Sequence, residues 1–409
     1  LSSSRISRCM ALSSTSSVNL SNGVGIGGIN YHRLAMSAVR SSMFVQRDRS
    51  NMREVSRGSS EVSVLPTGDN LDVPSWTFQS GNVTTTVDQF LQEIDNDSFI
   101  VMRSGEVVHE SYRHGQSDSF HQLASMSKSV VGVVASMMIY EGLIDPQRTL
   151  ADYVPTFAGC AYGETTVAHL LDMRTKIKYE GREYDQLVEA TRFFGVVGLV
   201  PKEDSIDYPA DIRSWMQTSQ HEVVPGVSWR YENGNTEAVA EVMMTVGGHS
   251  LSELISERLW SRFGAETVAL WQLDSSGREM ASGGLSMTLR DVARLGELLR
   301  NNGTVGEQIV VPAHTVQGLR SGLAGDVLQS LAASDFGPAL PGYGYHNFWW
   351  LPPKAGTLLA TGRFGQHLYV SENEEVTIAM LSSAASVGFK MYGDRLTAML
   401  ESICENISR

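Results

Sequence analysis

The alternation of apolar and polar residues becomes regular from about residue 85. Residues 99–103 (F-I-V-M-R) and 106–113 (E-V-V-H-E-S-Y-R) flank a Ser-Gly pair, a pattern that predicts two β-strands about a tight turn. The run 130–139 that follows is apolar on all sides, which is typical of a helix buried in a core. Gly142 and Pro146 predict where this helix ends.

The middle of the chain has a different period. Residues 147 to about 265 are predicted to be mostly helical, because apolar residues recur three and four positions apart in segments such as 235–246. Another helix is predicted near 289–300. Four segments between residues 344 and 383 then predict an antiparallel meander, and a terminal helix is expected over roughly 386–406.

Strands at both ends with helices between them predict an α+β fold, in which an antiparallel sheet is flanked by helices and a mainly helical domain is inserted. The predicted division is a first part of the α/β domain at 63–146, a helical domain at 147–265 and a second part of the α/β domain at 266–409. A small-molecule site is expected in the cleft between two such units.

Residues 1–62 are predicted to lie outside the fold. The first 47 residues contain five arginines and no Asp or Glu, which suits a targeting-like segment or an upstream stretch translated from an early start. They lack the apolar run of a secretory signal, so a cytoplasmic location is expected, with the periplasm as the alternative. Gly23–Gly28 satisfies G-x-G-x-x-G, but no strand and helix flank it, so no cofactor is expected.

Composition and charge exclude several classes of function. A hydrophobic content of 42% and a charged content of 19% are typical of a soluble globular protein. The net charge of −13 would repel nucleic acid, and no apolar run is long enough for a membrane span. Cys9, Cys160 and Cys404 have no metal-binding spacing, and no H-E-x-x-H motif occurs, so no metal is expected. A homodimer is compatible with these data.

Ser125-Met126-Ser127-Lys128 fits S-x-x-K, in which an amine can reach a hydroxyl one helical turn away. A partly buried amine loses proton affinity and can act as a base near neutral pH. The alternative is an N-cap serine followed by a first-turn lysine, and the motif alone does not separate the two. A second match at Thr175–Lys178 precedes a polar stretch and is interpreted as a solvated turn.

Two further motifs follow in the chain. W-R-Y-E-N-G-N, residues 229–235, lies on a predicted loop, where Tyr231 could exchange a proton with a leaving group if nearby cations lowered its pKa. A-T-G-R-F-G-Q, residues 360–366, lies on a predicted strand, where Gly362 would let a substrate approach the backbone and a backbone N–H could bind an oxyanion. Each alone is also compatible with ordinary structure.

In this order, and with Gly283-Gly284 and the segment 288–297 (T-L-R-D-V-A-R-L-G-E) between the last two, the motifs resemble those of the serine β-lactamase and penicillin-recognition superfamily. Within it, the chain looks most similar to the 6-aminohexanoate-dimer hydrolases, which degrade nylon oligomers, and to related esterases. The resemblance spans about residues 85–405.

The resemblance implies a role for each motif. Ser125 would attack a carbonyl to form an acyl-enzyme, Lys128 would take the serine proton, and Tyr231 would protonate the leaving group. The backbone N–H groups of Ser125 and Arg363 would form the oxyanion hole, while another register of the glycine motif would use Gln366 instead.

The chain also departs from the superfamily pattern. Ala360 stands where β-lactamases carry a lysine for the substrate carboxylate, which favours an amidase or esterase. Asn233 and Asn235 both match the motif asparagine, and Asn233 and Gly362 are taken as substrate-binding residues. The nylon-hydrolase branch adds a tyrosine and an acidic residue on a loop.

Tyr184 and Asp185 are the candidates for that loop pair, with Tyr179 as the rival and a polar surface loop as the alternative. His121 could orient the structure just ahead of the serine. The predicted function is cleavage of small amides or esters through an acyl-enzyme, without a cofactor. The alternatives are a β-lactamase or D-alanyl carboxypeptidase, and a non-catalytic binding or sensor protein.

Overall fold

The fold was analysed in a computed structural model, which describes most of the chain. The described residues are 40–45, 49–179, 192–199, 202, 207–322, 326–384 and 392–407. The glycine motif Gly23–Gly28 lies outside these residues.

Seventeen strands are found in the described residues. In chain order they are β1 Met52–Val55, β2 Thr77–Ser80, β3 Val83–Thr86, β4 Asn96–Arg103, β5 Glu106–Tyr112, β6 His121–Gln122, β7 Ile177–Tyr179, β8 Ser219–His221, β9 Ala269–Gln272, β10 Leu285–Met287, β11 Thr304–Val305, β12 Gln308–Ile309, β13 Gly344–His346, β14 Trp349–Leu351, β15 Thr357–Gly362, β16 Gln366–Ser371 and β17 Val376–Ser382.

The α-helices are mostly short. In chain order they are α1 Val87–Glu93, α2 Ser127–Tyr140, α3 Leu150–Tyr153, α4 Val167–Leu171, α5 Ile212–Gln217, α6 Gly234–Gly247, α7 Leu251–Ile255, α8 Leu289–Arg300, α9 Ala313–Arg320, α10 Asp326–Ala332 and α11 Gly393–Ile407. Short 3₁₀ turns at Val73–Ser75, Ala124–Met126 and Pro155–Phe157 and a π-helical turn at Ser256–Trp260 also occur, and residues 40–43 and 192–196 are helical. None of the helices within the described ranges is both long and apolar enough to cross a membrane.

A seven-stranded antiparallel sheet forms the centre of the fold. Its strand order is β13-β14-β15-β16-β17-β4-β5, so the C-terminal meander lies beside the N-terminal hairpin β4–β5. Helix α8 packs on β4, β16 and β17, and its Gly296 lies against Thr377. The predicted fold class, an antiparallel sheet with flanking helices, is confirmed.

Helix α2 is enclosed by other elements. Its residues 127–138 are all buried, because it packs between α6, α9 and β14. Gly132 lies so close to the β13–β14 turn that a Cβ atom would come 2.2 Å from the backbone oxygen of Asn347. The run predicted to be apolar on all sides therefore corresponds to this enclosed helix.

The expectation that residues 1–62 lie outside the fold is wrong for part of that segment. Met52–Val55 forms β1, which pairs with β9 in a second sheet of order β1-β9-β10-β6. Arg40 also donates a hydrogen bond to the buried carboxylate of Asp97 at 2.9 Å. The sequence M-R-E-V has a mixed polarity that does not distinguish an edge strand from a loop.

Two local predictions are corrected as well. The segment 344–352 forms two strands, because Asn347 and Phe348 both have positive φ, 47° and 65°, and make a tight turn. In the predicted helical domain, strands β7 and β8 form an antiparallel pair although they are far apart in the sequence. The terminal helix is described only from Gly393 onward. The domain boundaries stay predictions.

Gly132→Ala should lower the free energy of unfolding by about 1–3 kcal/mol, because the added methyl would force α2 away from the β13–β14 turn. Urea denaturation of the purified protein measures this change. Gly318→Ala in α9 is the matched control: no atom lies within 4 Å of its Cβ position, so helix propensity should stabilise it by about 0.5–1 kcal/mol. Equal effects in both helices would contradict the close contact at Gly132.

Candidate active site

Ser125 lies on a 3₁₀ turn, Ala124–Met126, immediately before α2. Ala124 has φ of 48°, a left-handed conformation that is uncommon for a residue with a side chain and costs about 1 kcal/mol or more. Ser127 stabilises this turn, since its Oγ donates to the Ala124 carbonyl at 2.6 Å and accepts from Leu285 N–H at 3.2 Å. The surrounding bonds therefore hold Ser125 in a bend and not inside a regular helix.

Lys128 reaches the serine hydroxyl. Its Nζ lies 2.9 Å from Ser125 Oγ and donates a second hydrogen bond to the Ser282 carbonyl at 2.6 Å. The side chain is only 1% exposed. Because residues three apart are eclipsed in a 3₁₀ turn, the S-x-x-K spacing still brings the amine to the hydroxyl although α2 begins two residues after Ser125.

Burial lowers the pKa of Lys128 to about 7, while the negative charge of Glu237 offsets part of that effect. Desolvation disfavours the charged ammonium more than the neutral amine. A large fraction of Lys128 is therefore neutral near pH 7, the form that can accept a proton from a hydroxyl.

The Tyr231 ring is held by an aromatic cluster. It stacks on Trp350, with ring centroids 6.0 Å apart and an interplanar angle of 14°. Phe336 and Tyr345 contact other parts of the ring. The Lys128 amine lies 5.1 Å from the ring centroid, over its face. This packing fixes the direction in which the phenol points.

The condition set for proton exchange by Tyr231, a pKa lowered by nearby cations, is not met. Burial raises the pKa of Tyr231, and the interaction of its phenol with the Ser125 side chain lowers it only in part. The phenol stays protonated at neutral pH, beside Ser125, as a proton donor.

A buried carboxylate anchors the loop that carries Tyr231. Glu232 accepts hydrogen bonds from Thr175 Oγ1 at 2.8 Å, from Ile177 N–H at 3.1 Å and from Arg230 Nε at 2.6 Å. The backbone of this loop is thereby tied to β7.

The same contacts correct the interpretation of the second T-x-x-K match as a solvated turn. Thr175 is fully buried and its hydroxyl is bound to Glu232, while Lys178 lies half-buried on strand β7. The Thr175 hydroxyl thus donates to a carboxylate, so this match does not form a hydroxyl–amine pair like that of Ser125 and Lys128.

Strand β15 ends beside the serine turn. A Cβ atom on Gly362 would lie 2.2 Å from the Leu123 carbonyl oxygen, so only glycine allows this approach. Arg363 follows immediately and lines the same cleft as Ser125. Gln366 begins β16, and its buried side chain donates to the carbonyls of Arg363 and Ser382. Of the two candidates for an oxyanion contact, Arg363 is the one that lines the cleft beside Ser125.

The cleft next to Ser125 has a mixed lining. It is formed by Gln122, Ala124, Ser125, Phe194, Leu199, Asn233, Met280, Ser282, Gly283, Arg363 and Phe364. Asn233 faces this cleft, whereas Asn235 is fully buried and donates to the Glu232 carbonyl at 3.4 Å. Between the two candidates for the motif asparagine, the geometry selects Asn233.

The remaining predicted positions lie elsewhere. Tyr184 and Asp185 fall outside the described residues, and their rival Tyr179 is the last residue of β7. His121 is buried on β6, where its Nε2 lies 3.1 Å from Asp97 Oδ2. Ala360 is buried within β15 and pairs with Leu368, so a methyl group occupies that position.

Several residues of the site were missed by the sequence analysis. The Ser282 carbonyl accepts from the Lys128 amine, Glu237 accepts from the N–H groups of Ala281 and Ser282, and Phe194 and Met280 line the cleft. Glu237 lies six residues after Tyr231 on the first turn of α6, a position that offers only a weak signal in the sequence. Among the residues that the structure describes, no group of three or more His, Cys, Asp or Glu side chains could hold a metal ion.

Comparisons with known proteins agree with this geometry. The 6-aminohexanoate-dimer hydrolase of Paenarthrobacter ureafaciens is 32% identical over 299 residues, which cover 73% of this chain and 75% of that protein. A Bacillus anthracis structure described as a 6-aminohexanoate-dimer hydrolase is 25% identical, with a TM-score of 0.78 over 96% of this chain and 98% of its own. EstCE1, a hydrolase with promiscuous acyltransferase activity, is 15% identical and has a TM-score of 0.59 over 77% and 96% of the two chains, so it shares the fold.

The model of the beta-lactamase family matches residues 83–398, which include the serine turn, the Tyr231 loop and the last strands of the sheet. The chain therefore belongs to the beta-lactamase family and is a hydrolase of the β-lactamase fold.

Proposed function

We propose that this protein is a serine hydrolase that cleaves small amides or esters through an acyl-enzyme, in the manner of a 6-aminohexanoate-oligomer hydrolase. The observation that carries the proposal is the contact of a buried, partly neutral amine with a hydroxyl, Lys128 Nζ to Ser125 Oγ at 2.9 Å. Such an amine can accept the hydroxyl proton as the oxygen attacks a carbonyl.

The remaining steps follow from the neighbouring groups. The N–H groups of Ser125 and Arg363 would stabilise the oxyanion that forms on attack. The protonated phenol of Tyr231 would then give its proton to the departing amine or alkoxide, which leaves Ser125 acylated. Attack of water on the ester bond, with the same groups in reverse roles, would release the acid and restore the serine.

The lining of the cleft supports a small, partly apolar substrate. Phe194, Leu199 and Met280 offer apolar contacts for an alkyl chain, and Asn233 and Gln122 offer amide groups for hydrogen bonds. The buried methyl of Ala360 stands at the position where β-lactamases carry the lysine that engages the substrate carboxylate. These features favour a linear amide or ester.

The proposal is tested by comparing p-nitrophenyl butyrate, the linear dimer of 6-aminohexanoate and nitrocefin under the same conditions. We expect Ser125-dependent turnover of the ester and the linear amide and none of nitrocefin. Faster hydrolysis of nitrocefin than of both linear substrates would indicate a β-lactamase. Stoichiometric labelling of Ser125 by a fluorophosphonate without turnover of any substrate would indicate a binding or sensor protein.

Tyr231→Phe should reduce amide hydrolysis at least ~10-fold more than ester hydrolysis, because an amine leaves only after protonation whereas p-nitrophenolate leaves unprotonated. The ratio of kcat/KM for the two substrate types, in wild type and variant, measures this difference. Tyr345→Phe is the matched control, since it removes a hydroxyl from the same aromatic cluster. Equal losses on both substrates in Tyr231→Phe would remove the acid role from Tyr231.

A further inference from the structure

A buried carboxylate outside the three sequence motifs lies close to the Lys128 amine. Glu237, on the first turn of α6, is only 3% exposed. One carboxylate oxygen accepts the N–H of Ser282 at 2.8 Å and the other accepts the N–H of Ala281 at 3.0 Å. Both carboxylate oxygens of Glu237 therefore accept hydrogen bonds from the backbone of one short segment, Ala281–Ser282.

That segment in turn holds the amine. The carbonyl of Ser282 accepts the hydrogen bond from Lys128 Nζ at 2.6 Å, shorter than the 2.9 Å contact from the same atom to Ser125 Oγ. The backbone N–H groups of Ala281 and Ser282 each donate one charge-assisted hydrogen bond to Glu237, which restricts rotation of the segment that carries the Ser282 carbonyl. The position of the amine thus depends on the carboxylate through two backbone groups.

We propose that Glu237 is a positioning residue, which fixes the Ala281–Ser282 backbone so that the Ser282 carbonyl holds the Lys128 amine against Ser125. Its place in catalysis rests on the proposed function, while its effect on the amine rests on the contacts alone.

The charges around the amine determine in which direction the pKa of Lys128 should change when Glu237 is replaced. Ser125, the Ser282 carbonyl and the face of the Tyr231 ring surround Lys128, and the charged group that acts on it among the described residues is Glu237. Burial raises the pKa of Glu237, while its hydrogen bonds to Ser282 and Ala281 and the charge of Lys128 lower it in part. Removing the carboxylate removes an attraction for the ammonium, and the pKa of Lys128 should fall further.

Two other buried carboxylates near Glu237 in the sequence bind arginine side chains instead. Glu241, one turn further along α6, is buried but bound by Arg278 Nη1 at 2.6 Å, and Arg213 lies 3.6 Å away. Glu232 is bound by Arg230 and by β7. Glu241→Gln therefore removes a buried carboxylate from the same helix without touching the Ala281–Ser282 backbone, and it serves as the matched control.

The first experiment titrates the amine directly. The chain has six lysines, so ¹³Cε-lysine NMR of the full chain can follow Lys128, assigned by its loss in Lys128→Ala. In Glu237→Gln the titration midpoint of Lys128 should fall by at least ~0.5 pH unit relative to the wild type. Glu241→Gln should leave it within ~0.2 unit. An unchanged midpoint in Glu237→Gln would overturn the proposal.

The second experiment measures kcat/KM for p-nitrophenyl butyrate against pH. Glu237→Gln should lower the high-pH plateau of kcat/KM ~10–100-fold, because a less firmly held Ser282 carbonyl would misplace the Lys128 amine. It should also move the acid limb, the rise of kcat/KM with pH on the acidic side of the profile, to lower pH. A merely structural loss would lower the rate without moving the limb. A shifted NMR midpoint with a wild-type plateau would also overturn the positioning role.

Glu237→Asp covers the case in which Glu237→Gln does not fold. It keeps the charge but shortens the side chain by one methylene, so the plateau should fall ~10-fold while the acid limb stays in place. A wild-type plateau would contradict the proposal. If no variant or wild-type protein shows Ser125-dependent turnover, whereas the NMR midpoint shifts as expected, the proposed function fails and the control of the Lys128 amine by Glu237 stands.

Discussion

Ser125→Ala is expected to reduce kcat/KM for p-nitrophenyl butyrate at least ~10³-fold, because the oxygen that would carry the acyl group is removed. The initial rate of p-nitrophenol release measures the loss, and a fluorophosphonate should no longer label the protein. The substitution deletes one oxygen from a half-buried turn, so the fold should be retained.

Ser129→Ala is the matched control for this prediction. Ser129 lies one helical turn from Ser125 in the same serine-rich stretch, but its Oγ donates to the Phe348 carbonyl at 2.7 Å, inside the protein. Its activity should stay within about threefold of wild type. A wild-type rate in Ser125→Ala would remove this serine from the mechanism.

Lys128→Ala is expected to cause a loss of at least ~10³-fold and to remove the acid limb from the pH profile. In the wild type, activity should rise as the pH increases through about 7, since the amine must lose its proton before it can take one from Ser125. Steady-state ester hydrolysis between pH 5 and pH 9, within the stable range of the protein, measures both effects.

The control variant for the lysine is Lys178→Ala, taken from the second T-x-x-K match. Lys178 lies half-buried on β7 and should affect neither the plateau nor the acid limb. If Lys128→Ala kept the acid limb near pH 7, another group would have to be the base that titrates there.

The parts of the fold that sequence predicted best are those whose hydrophobic pattern is local. The hairpin about residues 104–105 and the enclosed helix α2 occur where their patterns place them. Helix α6 extends over Gly234–Gly247, close to the predicted segment. In each case the side chains that reveal the element lie within it, so a short window contains the signal.

Contacts between distant segments could not be predicted in this way. Strand β1 is stabilised by backbone pairing with β9, more than 200 residues away, which leaves little trace in the side chains of M-R-E-V. Similarly, Glu237 was missed because its partners are backbone N–H groups of residues 281 and 282, and any residue type would supply them.

The residues of the active site show the same difference between local contacts and contacts with distant segments. The S-x-x-K spacing predicts the contact between Lys128 and Ser125, since both lie on one turn. The direction of the Tyr231 pKa shift could not be predicted, because it depends on burial among Trp350 and its neighbours, which are more than 100 residues further along the chain.

The tight turn between β13 and β14 links elements that are far apart in the chain. Phe348 N–H donates to the Leu171 carbonyl in α4, Asn347 N–H donates to Asp172, and Ser129 of α2 donates back to Phe348, so the turn joins the sheet to α2 and α4. Separating these elements would break three hydrogen bonds worth about 1 kcal/mol each and would expose Gly132. The sheet and the two helices should therefore move as one unit, and the serine turn that begins α2 should move with them.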